Sequence, residues 1–253
     1  MANQVILSVK GLQKAFGGLM AVSQVDFDIR AGQIKALIGP NGSGKTTTFN
    51  LITGHYRPDA GEILFEGEQI TVLPPHEIAR RGIARTFQNL ELFENMTVLE
   101  NVLIGLYLRA GVSTLGALVR APSWWRKEKA AQDKALEILE RFGLAARAQE
   151  PVANLPFGLQ RFVEIARALA TSPKVLLLDE AASGLDGREK EILCEHILEI
   201  RRSGVTIFMV EHDMNMTMNL AEEVVVLDHG QKIAEGTPRE IQRHPEVIAV
   251  YLG

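Results

Sequence analysis

Apolar and polar residues change rhythm three times along this chain. From residue 5 to residue 38 the rhythm is that of strands. Val25, Phe27 and Ile29 alternate with Asp26 and Asp28, the two-residue period of a strand with one face buried. Ile34 to Ile38 is a mostly apolar run ending at a glycine-rich loop. A helix is predicted from Lys45 to about Thr53, with Gly54 as its stop. Pro58 to Gly61 reads as a turn into a strand over Ile63 to Phe65, and Glu66-Gly67 as a second turn.

After Gln88 the period becomes helical. Thr97 and Glu100 form a capping-box pattern that opens a helix through about Leu108. A second helix is predicted over Ser123 to Phe142, with Gly143 suited to the left-handed residue after its end. In a third, Leu159 to Thr171, apolar residues recur at Phe162, Ile165, Ala166 and Leu169. No strand is predicted between residues 89 and 172.

Strands and helices alternate again after Pro173. Val175 to Leu178 is continuously apolar, as a parallel strand buried on both faces requires. A helix over Gly187 to Arg202, strands over Val205 to Val210 and Val224 to Leu227, and a hairpin turn at Asp228-His229-Gly230 follow. From Gly236 two short helices are expected, separated by His244-Pro245. The pattern is α/β: a core from residues 1–88 and 173–235, a helical subdomain over 89–172, and a helical tail over 236–253.

Composition narrows the field. The 253 residues are 46% hydrophobic and 23% charged, enough to bury a sizeable core. A net charge of −4 argues against a broad nucleic-acid-binding face. Cys194 is the only cysteine, so no intrachain disulfide can form. The start, MANQVILSVK, lacks the pattern of a signal peptide. Leu99 to Val119 is the most membrane-like stretch, but Glu100, Asn101 and Arg109 interrupt it, so no spanning helix is expected.

Two motifs carry chemistry. Gly39, Pro40, Asn41, Gly42, Ser43, Gly44, Lys45 and Thr46 spell the G-x-x-x-x-G-K-[ST] phosphate loop, and Thr47 follows. Its glycines let backbone N–H groups converge on phosphate oxygens, Lys45 meets the β and γ phosphates, and the Thr46 hydroxyl can ligate Mg²⁺. The helix behind the loop adds its dipole. The run VLLLDE ends on Asp179 and Glu180, at the strand edge where open α/β sheets bind ligands. Asp179 is placed to hold Mg²⁺ through water, and Glu180 to orient or deprotonate an attacking water.

In order, the phosphate loop, Gln88, LPFGLQR at Leu155 to Arg161, VLLLDE, SGLD at Ser183 to Asp186 and VEHD ending at Asp213 resemble the ABC-transporter ATPases over essentially the whole chain. The resemblance implies a P-loop (RecA-like) ATPase core with an antiparallel β subdomain and an inserted helical subdomain. It implies that ATP and Mg²⁺ are the cofactors and that Phe16 stacks on adenine. It further implies that Gln88 senses Mg²⁺ and the membrane subunit, and that His212 contacts the γ-phosphate. Expected partners are transmembrane permease subunits and a second ATPase subunit, related or identical, with the chain peripheral to the cytoplasmic face of the inner membrane.

Within that family, FQNLELFENMTVLENVLIG, LGALVRAPSWWRKEKAAQDKALEILERFGL and EGTPREIQRHPEVIAVYLG are similar to branched-chain amino acid importer ATPases. Lipopolysaccharide-export ATPases share the style of tail. Soluble ABC proteins of DNA repair or translation share the motifs but usually carry a long coiled coil or two cassettes. The signature segment departs from LSGGQ. Pro156 stands for the serine, Phe157 for a glycine and Leu159 for the glutamine. Ala181 stands where proline is common. The missing serine hydroxyl favours a heterodimer with a second ATPase bearing a normal signature.

Overall fold

A computed structural model describes residues 4–110 and 122–252. The far half of the Leu99 to Val119 stretch lies outside the described residues. Four strands, β1 (Val5–Phe16), β2 (Leu19–Arg30), β4 (Ala60–Phe65) and β5 (Glu68–Gln69), form an antiparallel sheet in the order β2-β1-β4-β5. Six more form the central sheet: β3 (Ile34–Ile38), β6 (Ile83–Arg85), β7 (Val175–Asp179), β8 (Thr206–Val210), β9 (Glu223–Asp228) and β10 (Gln231–Gly236). Their order is β10-β9-β3-β8-β7-β6, with only β10 antiparallel to its neighbour.

The helices are α1 (Lys45–Ile52), α2 (Pro75–Arg81), α3 (Val98–Ala110), α4 (Pro122–Arg141) and α5 (Phe157–Ala170). They continue with α6 (Gly187–Arg202), α7 (Met214–Leu220), α8 (Pro238–Ile241) and α9 (Pro245–Leu252). Between β6 and β7 the described residues hold helices and one isolated bridge, Thr97 to Pro151, but no strand.

The apolar runs serve two cores at once. On β3, Ile34, Ala36 and Ile38 face the helical side, while Leu37 faces the antiparallel sheet. Leu176 and Leu178 of β7 take the first side, Val175 and Leu177 the second. This is why β3, β7 and β8 are buried at every position and show no polar alternation. Lys35 is the exception inside its run. It is buried, and its ammonium donates to Asp28 O at 2.6 Å, Glu223 at 3.0 Å and Glu235. α1 docks through Phe49, whose ring meets Phe208 at 4.9 Å. Burying one such side chain contributes about 1.5–3 kcal/mol, so this contact anchors the helix that follows the phosphate loop.

Local signals held where they were strong. Thr97 and Glu100 make the expected capping box, with Thr97 N donating to Glu100 Oε2 and Glu100 N to Thr97 Oγ1. Gly143 is left-handed at φ 67°. His229 and Gly230 both have positive φ, 44° and 78°, as the two-residue turn joining β9 to β10 demands. Weaker signals gave way. Ala60 and Gly61 belong to β4 rather than to a turn, because Ala60 pairs with Gln13 of β1. α2 and α7, seven residues each, bury too few side chains to set up a period in the sequence. α5 begins at Phe157, two residues before Leu159, with Pro156 as its N-cap. Gly236 ends β10, and the tail opens instead on a capping box between Thr237 and Glu240.

Candidate active site

The register of the central sheet builds the site. Leu37 of β3 and Asp179 of β7 both pair with Val210 of β8, so three strands end level. The loop 39–44 after β3, Glu180 after β7 and His212 after β8 therefore meet at one edge. The loop lies close against its neighbours. A Cβ at Gly39 would come within 2.1 Å of Leu227 O, and one at Gly44 within 2.4 Å of Ala21 O. Only glycine fits at either place.

A cleft of about 450 Å³ opens over this loop. Asn41, Gly42, Ser43, Gly44, Lys45, Thr46 and Thr47 line one side, Phe16 another, and Glu180 and His212 a third. Gly39 and Pro40 lie behind it, and their carbonyls accept from Lys45 Nζ at 2.8 and 2.9 Å. Burial lowers the Lys45 pKa, opposed by the charges of Glu180 and Asp179. Ser43 Oγ is buried without a hydrogen-bond partner, and Thr46 is exposed. Phe16 stands at the tip of the β1–β2 hairpin, exposed, with its ring edge-on to Tyr56 at 5.1 Å. The cleft thus has phosphate-sized polarity at one end and an aromatic ring at the other.

The carboxylates are tightly held. Glu180 accepts from Gln88 Nε2 at 2.8 Å and from His212 Nε2 at 2.9 Å. Its backbone is left-handed at φ 51°, a costly conformation for glutamate, and its amide donates to Val210 O at 2.8 Å. Asp179 is buried, and its Oδ2 accepts from Arg85 at 2.6 Å. That guanidinium also donates to Asn50 Oδ1 and Thr53 Oγ1, crossing from β6 to α1. Gln88 keeps its carbonyl oxygen free of Glu180, since its amide nitrogen makes that bond.

The donors suit Mg²⁺. They are oxygen atoms of one hydroxyl, one carboxylate and one carboxamide, and Mg²⁺ usually takes one or two carboxylates plus substrate phosphates. Among the described residues no group of three His, Cys, Asp or Glu could hold a metal by itself.

Sequence reasoning missed four contributors. Arg85, the one charged residue from Ile83 to Phe87, was the readable signal. Glu211 was hidden in VEHD. Arg161 and Glu164 stand three residues apart on α5, and both are buried. Glu211 is buried too and accepts from Ala182 N at 3.0 Å. Burial first, and then the Glu180 charge, push its pKa up to about 7, against the pull of the Ala182 and Ala181 amides.

A raised carboxyl pKa means the folded state holds the proton more tightly, so stability is lost as pH rises from about 4.5 to about 7. Glu211→Gln keeps the acceptor and removes the ionisation. Its melting temperature should match the natural chain near pH 4.5 and exceed it at pH 8, by on the order of 3 kcal/mol in stability. A difference that stays flat from pH 4.5 to 8 would contradict this.

Among the remaining candidates, Cys194 is half-buried against the helical-side core. The Arg126 to Lys129 face is largely exposed, apart from Glu128, which binds the Tyr107 hydroxyl. In the signature segment Pro156 makes no side-chain cap bond. Leu159 packs against the apolar core, which accounts for a leucine there. A Cβ at Gly184 would come within 2.8 Å of the exposed Phe157 ring.

A strand, a glycine loop closing on a buried lysine, and two carboxylates at the same sheet edge define a nucleotide-binding site of the P-loop ATPase class. The family model described as ABC transporter matches residues 22–183, and that of the branched-chain amino acid ATP-binding cassette transporter matches residues 231–253. The chain is 43% identical over 252 residues to the high-affinity branched-chain amino acid transport ATP-binding protein LivG of Escherichia coli, covering 99% of both. It is 42% identical over 252 residues to the high-affinity branched-chain amino acid transport ATP-binding protein BraF of Pseudomonas aeruginosa, again covering 99% of both. An ATP-binding cassette of an ABC transporter solved in its ADP conformation superimposes with a TM-score of 0.86 at 35% identity, over 99% of this chain and 100% of the other. The chain belongs to the ATP-binding subunits of ABC transporters, and it is a nucleotide-binding ATPase. No helix among the described residues is long and apolar enough to cross a membrane.

Proposed function

We propose that this chain is the ATP-hydrolysing motor of an importer of branched-chain amino acids, bound to permease subunits at the cytoplasmic face of the membrane. The observation that carries this reading is similarity across the full length, tail included, to proteins named for that transport. Those names speak of amino acid transport and count against lipopolysaccharide export.

The Lys45 ammonium leaves its loop carbonyls for the β and γ phosphates, and the loop amides and Ser43 hydroxyl converge on the same oxygens. Phe16 stacks on adenine. Thr46, Asp179 and Gln88 would hold Mg²⁺, which when bound neutralises phosphate charge. Arg85 occupies one oxygen of Asp179 and leaves the other for that duty. Glu180 orients or deprotonates the attacking water, and His212 and Gln88 keep its carboxylate aimed. Phosphoryl transfer asks mainly for positioning and charge neutralisation, and these residues supply both.

The permease docks beside Gln88 to Met96. Phe93 and Met96 are exposed there, whereas Leu92 packs against the core. The second ATPase subunit is a related chain. Pro156 caps α5 without a hydroxyl or an N–H to offer a phosphate across the dimer, and a lost hydrogen bond to a charged group is worth about 1.5–3 kcal/mol. A homodimer would carry that defect in both sites.

The test is reconstitution. ATP turnover by this chain alone should be slow, and should rise at least roughly tenfold with the second ATPase and the permease subunits. A cysteine at Phe93 should crosslink to the permease. Full turnover by a stable dimer of this chain alone would overturn the heterodimer, and absence of any permease contact would overturn the docking surface.

A further inference from the structure

Twelve residues, 86–97, separate β6 from α3 and form neither helix nor strand. Gln88 sits among them, so no ladder or helical turn fixes its carboxamide on Glu180. Other groups must supply the register. Two side chains of α5 do so at residues 87 and 88. Phe87 N donates to Glu164 Oε1 at 3.0 Å. Arg161 donates through Nη1 to Phe87 O at 2.8 Å and through Nη2 to Gln88 O at 3.0 Å. The two side chains also pair with each other at 2.8 Å. Both are 1% exposed. The N–H and C=O of Phe87 and the C=O of Gln88 are therefore held by a carboxylate and a forked cation.

This pair is an expensive way to hold a helix. Removing two charges from water costs much of what their attraction returns, and apolar residues of similar size usually stabilise as well or better. Arg161 Nε is moreover buried with no hydrogen-bond partner, a further cost. Three hydrogen bonds go to the backbone of residues 87 and 88, and one links the pair. The same stretch of α5 faces the SGLD segment. Phe157 lies against Gly184 and under the Arg161 guanidinium at 5.8 Å, and the Glu189 carboxylate fills the space where a Gly158 side chain would go.

We propose that Arg161 and Glu164 are positioning residues that clasp residues 87 and 88, set the Gln88 carboxamide on Glu180, and tie its placement to the first turns of α5. The signature segment opens that helix. The inference rests on the reading of Gln88 given above and names the device that aims it.

A double-mutant cycle in the assembled transporter tests it. Gln88→Ala alone should lower kcat about tenfold or more. Arg161→Met should lower kcat by a similar factor, with ATP KM changed less than about twofold. In the Gln88→Ala background, Arg161→Met should lower kcat by less than about twofold, because its route to the chemistry is already gone. A merely structural role would lower kcat equally in both backgrounds, and that additivity overturns the clasp while leaving the reading of Gln88 intact. Folded Arg161→Met at full rate overturns it as well. Gln88→Ala at full rate overturns both. Should Arg161→Met fail to fold, Arg161→Lys is read in the same cycle. It keeps the charge beside Glu164, but a single ammonium lacks the fork that spans two carbonyls.

Discussion

Glu180→Gln is expected to lower ATP hydrolysis by a factor on the order of 10² to 10⁴ while ATP still binds. The substitution preserves shape, and the amide can still meet Gln88 or His212. What disappears is the carboxylate that takes or aims a proton. Lys45 keeps its hydrogen bonds to the Gly39 and Pro40 carbonyls, so the loop holds its shape without that carboxylate. ATP binding by the purified variant and single-turnover hydrolysis separate the two quantities. A variant that hydrolyses at the natural rate would remove Glu180 from the role of base. The left-handed backbone at Glu180 is expected to persist, since its amide remains tied to Val210 O.

Lys45→Ala should fail in the opposite way, by losing ATP itself. The ammonium is the one buried cation lining the cleft among the described residues. Removing a hydrogen bond to a charged group costs about 1.5–3 kcal/mol, which corresponds to roughly 10- to 150-fold in affinity. Equilibrium binding of a fluorescent ATP analogue reads the loss. Lys45→Met, which keeps the stem that fills the loop, should lose nearly as much. Near-natural affinity in either variant would show that the loop amides alone bind the phosphates. The contrast between tight binding without hydrolysis at Glu180 and lost binding at Lys45 separates catalysis from capture.

How far the chain could be read without coordinates depended on the range of each signal. The phosphate loop is local. Glycine spacing, the preceding apolar strand and the helix from Lys45 all lie between Ile34 and Ile52, and the structure builds them as read. The capping box at Thr97 and the hairpin turn at His229-Gly230 are local as well, being set by a side chain three residues away or by φ at two positions. The apolar runs of β3, β7 and β8 announced buried strands, because each must feed two cores.

Other elements had no such signal. α2 and α7 are too short for a period to emerge. Ala60 and Gly61 became strand only because β1 lies alongside them. In the site, Phe16, Lys45, Glu180, His212 and Gln88 were each nameable by motif order, but motif order says nothing of distance. Tertiary structure alone brought Gln88 and His212 onto the two oxygens of one carboxylate, and Arg85 onto Asp179. The same holds for Arg161 and Glu164, which stand three residues apart on α5. Their burial follows from where α5 packs against the segment after β6. Sequence by itself determined which residues could do phosphate chemistry, since that depends on residue type and local backbone. Which charges are buried, paired and aimed was decided by contacts between segments up to about a hundred residues apart, and no local period encodes those.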